Sequence, residues 1–187
     1  MSQKVVELTE KTLARLPERR ESPSSCKYCL YWEHPELGEE IVAMSQEKRL
    51  EEKLAWLRRV WEEWGCCGKL LFVGDKAVGY AQYAPARFFP TVAEYPAGPV
   101  SGDAVLLACL FIPNPKDRRQ GLGSVLLAAV LADLRARGIK AVETFARRGS
   151  PENPSGPVEF YLKHGFRVLR ADPEFPLLRL DLEQATA

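Results

Sequence analysis

The feature that most constrains this chain is a continuous apolar run followed by a glycine-led helix and a second buried strand. AVLLACLFI (104–112) is followed by GLGSVLLAAVLADLRARG (121–138) and then IKAVETFA (139–146). Runs without regular polar alternation suit strands buried on both faces, not strands with one wet face. Pro113 stops the first run, and Gly138 supplies the stop for a helix that begins near Gly121 or Gly123. PSGPVEFYLKHGF (154–166) predicts a short helix with Pro157 in its first turn and Gly165 at its end. FRVLR (166–170) and PLLRLDL (176–182) read as closing strands. The second half therefore runs strand, helix, strand, helix, strand, strand, without an internal repeat, which is an α/β or α+β class.

Upstream, Ser45 is a good N-cap, and Leu50, Leu54, Leu57, Trp61 and Trp64 recur at spacings of three and four up to Gly65, predicting an amphipathic helix. KLLFVGDKAVGYAQYA (69–84) reads as two strands joined by a tight turn at Gly74 and Asp75. VVELTEKTLARLPE (5–18) fits a strand followed by a turn or short helix, and RRESPSS (19–25) a loop. FFPTVAEYPAGPVSGD (88–103) is too long for a plain connector and is a candidate functional loop.

At 187 residues the whole chain, 1–187, is expected to be one domain, and 46% hydrophobic residues place it among globular proteins. A net charge of +1 provides no global field for nucleic acid or an anionic membrane, so any anion recognition is local. No apolar run reaches the roughly 20 residues that span a bilayer. The first residues, MSQKVVELTEKTLARL, carry charges where a secretory signal is apolar. A cytoplasmic location is expected, and the odd count of five cysteines fits a reducing compartment.

The basic run KDRRQGLGS (116–124) stands between the first strand and its helix. The first N–H groups of a helix have no intrahelical partners and carry partial positive charge, so a phosphate there accepts several backbone hydrogen bonds. Gly121 and Gly123 leave room for it, and Arg118 and Arg119 can add charge from the rim. The spacing matches neither the phosphate loop GxxxxGK(S/T) nor the GxGxxG of dinucleotide-binding domains.

Arg118-Arg119-Gln120-Gly121-Leu122-Gly123 resembles the signature Q/R-x-x-G-x-G/A of the GNAT superfamily of N-acetyltransferases, and FYLKHGF (160–166) resembles its FYxxxGF segment. The resemblance covers mainly residues 104–168, a CoA-binding core, and takes nothing from the first 40. It implies a GNAT fold, a mixed, twisted central sheet with helices on both faces, splayed near the glycine run. It also implies acetyl-CoA as co-substrate and no required metal. The pyrophosphate would lie on Arg118, Arg119, Gln120, Gly121, Leu122, Gly123 and Ser124. The pantetheine arm would pair with Leu110, Phe111 and Ile112, and Asn153 would contact the cofactor. Pro113 departs from the family pattern, because it has no N–H for the pantetheine amides.

The implied reaction is transfer of an acetyl, or other acyl, group to a primary amine by direct attack in a ternary complex. A phenol with pKa near 10 is protonated at neutral pH and suits a thiolate leaving group, which makes Tyr161 the candidate general acid. Its other reading is a core tyrosine. His164 reads as a residue near a helix C-terminus. The strand AVLLACLFI holds no carboxylate, so the base is sought among Asp103, Glu94 and Glu143, and Cys109 reads as core. The partners expected are acetyl-CoA and an amine, without nucleic acid or membrane; a homodimer is the prior for a soluble enzyme.

Two alternatives belong to other classes. One is a CoA-binding module without catalysis. The other is a metal-linked or redox interaction protein built on Cys26 and Cys29, a CxxC pair, with Cys66, Cys67 or His34 completing a zinc site.

Overall fold

The computed structural model describes residues 2–16, 26–150 and 152–182, so the loop expected at 19–25 lies outside the described residues. The strands are β1 (Gln3–Glu7), β2 (Gly68–Val73), β3 (Lys76–Ala84), β4 (Ala104–Phe111), β5 (Ala141–Phe145), β6 (Arg167–Arg170) and β7 (Leu177–Asp181). They form one sheet in the order β1-β2-β3-β4-β5-β7-β6. β4 and β5 run parallel, and all other neighbours are antiparallel. The helices are α1 (Glu10–Leu13), α2 (Glu40–Ala43), α3 (Gln46–Glu63), α4 (Leu122–Ala136) and α5 (Val158–Lys163). α4 is the crossover between the parallel pair, as a parallel connection requires.

The sheet is covered on both faces, which explains why β4 is buried at every position. On one face α3 and the segments 26–44 and 86–103 bury Trp56, Val60, Phe88 and Phe89 against Tyr80 and Phe111. On the other, α4 and α5 bury Leu126, Leu127, Val130 and Tyr161 against Val105 and Leu107. Fully burying one such Leu or Val contributes about 1.5–3 kcal/mol.

Ser45 caps α3 as expected, accepting from the Lys48 N–H at 3.2 Å. The face of α3 is rotated from the apolar spacing, however. Its buried positions are Arg49, Lys53, Trp56, Leu57 and Val60, while Leu50, Leu54 and Trp61 are partly buried at the rim. The tertiary partners of Lys53 make that rotation affordable, as described below. The 88–103 segment packs Phe88, Phe89, Val92, Ala97 and Val100 into the core.

One irregularity positions the site. Gln82 lies opposite Cys109 and Tyr83 opposite Leu107, so Ala108 is an extra residue on β4, a bulge that bends the strand. β4 pairs with β5 only from Ala104↔Ala141 to Leu106↔Glu143, and the two strands separate just before the bulge. No helix among the described residues is long and apolar enough to cross a membrane.

Candidate active site

The basic run forms a tight turn. A single 3-10 turn at Pro115–Asp117 is capped by the Asn114 side chain, which accepts from the Lys116 N–H at 3.0 Å. Arg119 has φ 59° and Gly121 φ 79°, both left-handed. A non-glycine residue there is strained by about 1–3 kcal/mol, and such strain gathers at functional sites. α4 then starts at Leu122, and its first bond runs from the Val125 N–H to the Gly121 carbonyl at 3.1 Å. The N–H groups of Gly121, Leu122, Gly123 and Ser124 therefore lack intrahelical acceptors.

The two glycines serve different ends. Nothing stands within 4 Å of where a Gly121 Cβ would be, so Gly121 is needed for its left-handed backbone. A Cβ on Gly123 would come 3.3 Å from the Phe160 ring, so Gly123 lets α5 approach α4. The contact is extended by His164, whose Nδ1 lies 2.7 Å from the Phe160 carbonyl and Nε2 2.9 Å from Ser124 Oγ. A carbonyl only accepts, so Nδ1 carries the proton in this pair. His164 is the C-cap of α5, in keeping with its sequence reading.

The expected rim arginines diverge. Arg118 turns back to the strand end, donating from Nε to the Ile112 carbonyl at 2.8 Å and from Nη2 to the Pro113 carbonyl at 3.2 Å, and it pairs with Glu152. It clamps the mouth of the gap instead of projecting from the turn. Arg119 is exposed, and so is Gln120, whose Nε2 donates to the Lys116 carbonyl at 2.7 Å.

Along β4, the Leu110 N–H points into the gap and is accepted by the Pro154 carbonyl at 2.9 Å. By strand alternation the peptide groups of Ile112 face the same way and those of Phe111 face β3, where Tyr80 lies opposite. Among Leu110, Phe111 and Ile112, only the first and last can offer backbone to a chain lying in the gap. Asn153 shapes the segment that reaches Leu110: its Oδ1 accepts from the Ser155 N–H at 2.9 Å, and its carbonyl from the Gly156 N–H at 2.9 Å.

Tyr161, wholly buried on α5, donates its hydroxyl to the Ser155 carbonyl at 2.7 Å. Burial holds that hydroxyl well above the ordinary tyrosine range, so it carries its proton throughout the neutral range. Gly156 has φ 79°, and a Cβ on it would come 3.2 Å from the Tyr161 hydroxyl.

Two of the carboxylates considered as bases are engaged, and the third is exposed. Arg179 Nη1 donates to Asp103 at 3.0 Å and to Glu143 at 2.9 Å, and Glu143 also accepts from the Ser101 N–H at 2.9 Å. The Arg179 hydrogen bonds hold Asp103 below the usual carboxylate range. Glu94 is exposed at the end of a 3-10 turn (Pro90–Glu94).

A polar cluster that the sequence reading missed lies on the α3 face. Lys53 pairs with Glu33 Oε1 and donates to Gln82 Oε1 at 3.0 Å; Tyr80 donates to the same Gln82 oxygen, and Gln82 Nε2 donates to Glu33 Oε1 at 2.5 Å. All four residues are buried. The available signals were a lysine inside the buried stripe of α3 and a glutamine inside an otherwise apolar strand. Cys109 adjoins this cluster, and burial first, then the neighbouring thiols of Cys26 and Cys29, push its thiol well up, consistent with a core role.

The described cysteines are not disulfide-bonded. Among the described residues, the one set of three side chains close enough to share a metal ion is Glu7, Cys66 and Asp133, which includes neither Cys26 nor Cys29. Lys69 Nζ already lies 3.2 Å from Asp133 and 3.6 Å from Glu7, so that cluster has its cation built in.

No curated protein matches this chain. Among solved structures, the PaiA N-acetyltransferase of Thermoplasma acidophilum in complex with coenzyme A is similar, with TM-score 0.62 and 18% identity over 97% of this chain and 99% of that one. A putative acetyltransferase from Salmonella typhimurium, yncA, solved with acetyl-CoA, gives TM-score 0.61 and 13% identity over 100% of this chain and 98% of that one. An N-acetyltransferase of Staphylococcus aureus gives TM-score 0.59 and 12% identity over 98% and 100%. These likenesses establish the fold. The sequence itself matches the Acetyltransferase (GNAT) family over residues 27–166, and with most of its length so covered the chain belongs to that family.

Proposed function

We propose that the chain, as one domain, transfers an acetyl group from acetyl-CoA to a primary amine by direct attack in a ternary complex. The observation that carries this reading is the row of four N–H groups without an intrahelical acceptor at Gly121–Ser124, beside the gap where β4 leaves β5. The pyrophosphate lies on those amides with Arg119 at its rim. The pantetheine arm enters the gap along Leu110 and Ile112. Because Pro154 already accepts from Leu110, the 152–156 segment yields that bond or the arm pairs at Ile112, and Asn153 governs the segment's position. Similar proteins solved with coenzyme A and with acetyl-CoA support the choice of co-substrate.

In the reaction, backbone amides polarise the thioester carbonyl, and the amine nitrogen attacks its carbon. As the carbon–sulfur bond breaks, Tyr161 supplies a proton to the departing thiolate. Its protonated, buried phenol suits the role, and its hydrogen bond to Ser155 is exchanged for one to sulfur.

Calorimetric titration with acetyl-CoA tests this reading on the wild type and on Gly121→Glu and Gly121→Asn. Asparagine tolerates the left-handed backbone and keeps the amide, so it retains binding; glutamate sets a carboxylate against the phosphates and loses it. A folded wild type that takes up no acetyl-CoA, or a glutamate variant that binds like the wild type, would overturn the proposal.

A further inference from the structure

The buried cluster on the α3 face has one loose end. Gln82 uses both ends of its amide, and its oxygen serves Lys53 and Tyr80 together. Glu33 receives Lys53 and Gln82 on the single atom Oε1, while Oε2 is buried with no hydrogen-bond partner among the described residues. The Glu33 side chain is 1% exposed. A purely structural ion pair recovers its desolvation cost by satisfying both carboxylate oxygens, and a bare buried oxygen costs about 1–3 kcal/mol or more. Such an atom calls for a ligand, a water or a catalytic role.

Its place in the fold favours the last. Gln82, which holds Glu33, lies opposite Cys109, one residue past the bulged Ala108 and level with the parting of β4 from β5. The cluster is on the sheet face that carries Leu106, Ala108 and Phe111; α4 and α5 fill the opposite face. A thioester carried into the gap beside Leu110 and Ile112 would lie between the sheet face that holds Tyr161 and the face that holds the Glu33 cluster. The strand itself offers no carboxylate, and Asp103 and Glu143 are held by Arg179.

We propose that Glu33 is the base of the acetyl transfer, with the acceptor's primary ammonium group binding at Oε2. This rests on the function proposed above. The ammonium gives one proton to Oε2, and the neutral nitrogen forms the carbon–nitrogen bond to the thioester carbon. The carbon–sulfur bond then breaks, the thiolate takes the Tyr161 proton, and the phenolate recovers a proton from the attacking nitrogen. Glu33 releases its proton to solvent, leaving the amide and free CoA thiol. Lys53 and Gln82 are positioning residues: they fix Oε1 and leave Oε2 as the acceptor of the proton. The titratable groups around Glu33 are Lys53 on α3, Tyr80 on β3, Cys67 beside β2, Cys109 on β4, and Cys26 and Cys29 in the early segment. Burial keeps Tyr80, Cys67 and Cys109 protonated, and Glu33 keeps Lys53 charged.

The test follows thiol release from acetyl-CoA with n-butylamine as the probe acceptor, across pH, beside calorimetric binding of acetyl-CoA. It compares the wild type with Glu33→Gln and with Glu33→Gln/Lys53→Met, which removes both buried charges and protects the fold. All three are expected to bind acetyl-CoA alike. The amine speeds release by the wild type, and both variants lower that rate roughly a hundredfold or more and lose its decline in acid. A folded variant that keeps the wild-type rate and pH profile overturns the assignment of Glu33. So does a wild type that binds acetyl-CoA yet releases thiol no faster than the variants. A wild type that does not bind acetyl-CoA overturns the underlying function, a result the binding measurement separates from the other two.

Discussion

Tyr161 and Asp103 show how one residue's surroundings decide its chemistry. Tyr161 has a single proton to give and directs it at the Ser155 carbonyl, inside a shell closed by Gly156. Tyr161→Phe keeps the ring packing and removes the donor. We expect acetyl-CoA affinity to hold while turnover falls roughly a hundredfold, read by calorimetry and steady-state rates; equal turnover would leave Tyr161 as core alone. Asp103 has a folded pKa below its ordinary 3.8, because Arg179 donates to it. Its contribution to stability is complete above that ordinary value and disappears as pH falls through the lower folded one. Melting curves taken from neutral to acid pH should therefore fall more steeply for the wild type than for Asp103→Asn, by a small margin since Asp103 is solvent-exposed. Parallel curves would contradict the coupling.

At the scale of elements, α3 and α4 are held by different physics. α4 buries Leu122, Leu126, Leu127, Val130, Leu131 and Leu134, an apolar stripe whose packing follows from its spacing. α3 turns Lys53 into the core, a placement that only Glu33 and Gln82, from two other elements, make tolerable. Lys53→Ala strips Glu33 of its cation and should cost about 3–5 kcal/mol in denaturant unfolding, more than an exposed lysine on the same helix. The paired change Glu33→Gln/Lys53→Met should cost much less, since it leaves no unpaired buried charge. Equal losses would mean that α3 is held by its aromatic contacts alone.

For the molecule as a whole, the bulge at Ala108 stands where β4 leaves β5, and the proposed site depends on that parting. Removing that residue makes the Tyr83↔Leu107 and Gln82↔Cys109 pairs consecutive in a regular ladder, which takes away the bend that turns β4 from β5. The deletion variant should fold and lose acetyl-CoA binding, measured by calorimetry with a melting curve as control; retained affinity would show that the gap does not depend on the bulge. Much of this architecture was legible in the chain. The apolar run at 104–112, the buried strand at 139–146, the glycine stops and the hairpin at Gly74 all rest on local backbone preference and on periodicity. The turn at Gly121 was legible for the same reason, as a local need for left-handed backbone before a helix. Local signals do not report long-range pairing, which is why Arg118 was expected at the rim and is found on the Ile112 and Pro113 carbonyls. By itself the sequence determined the family, the strand and helix order from Ser45 onward, and the start of a helix after Gly121. Only the tertiary structure decided that Glu33, Lys53 and Gln82 share one buried cluster, that Arg179 occupies Asp103 and Glu143, and that β4 parts from β5 at the bulge. Each of these depends on residues dozens of positions apart being brought together, and chain spacing carries no record of that.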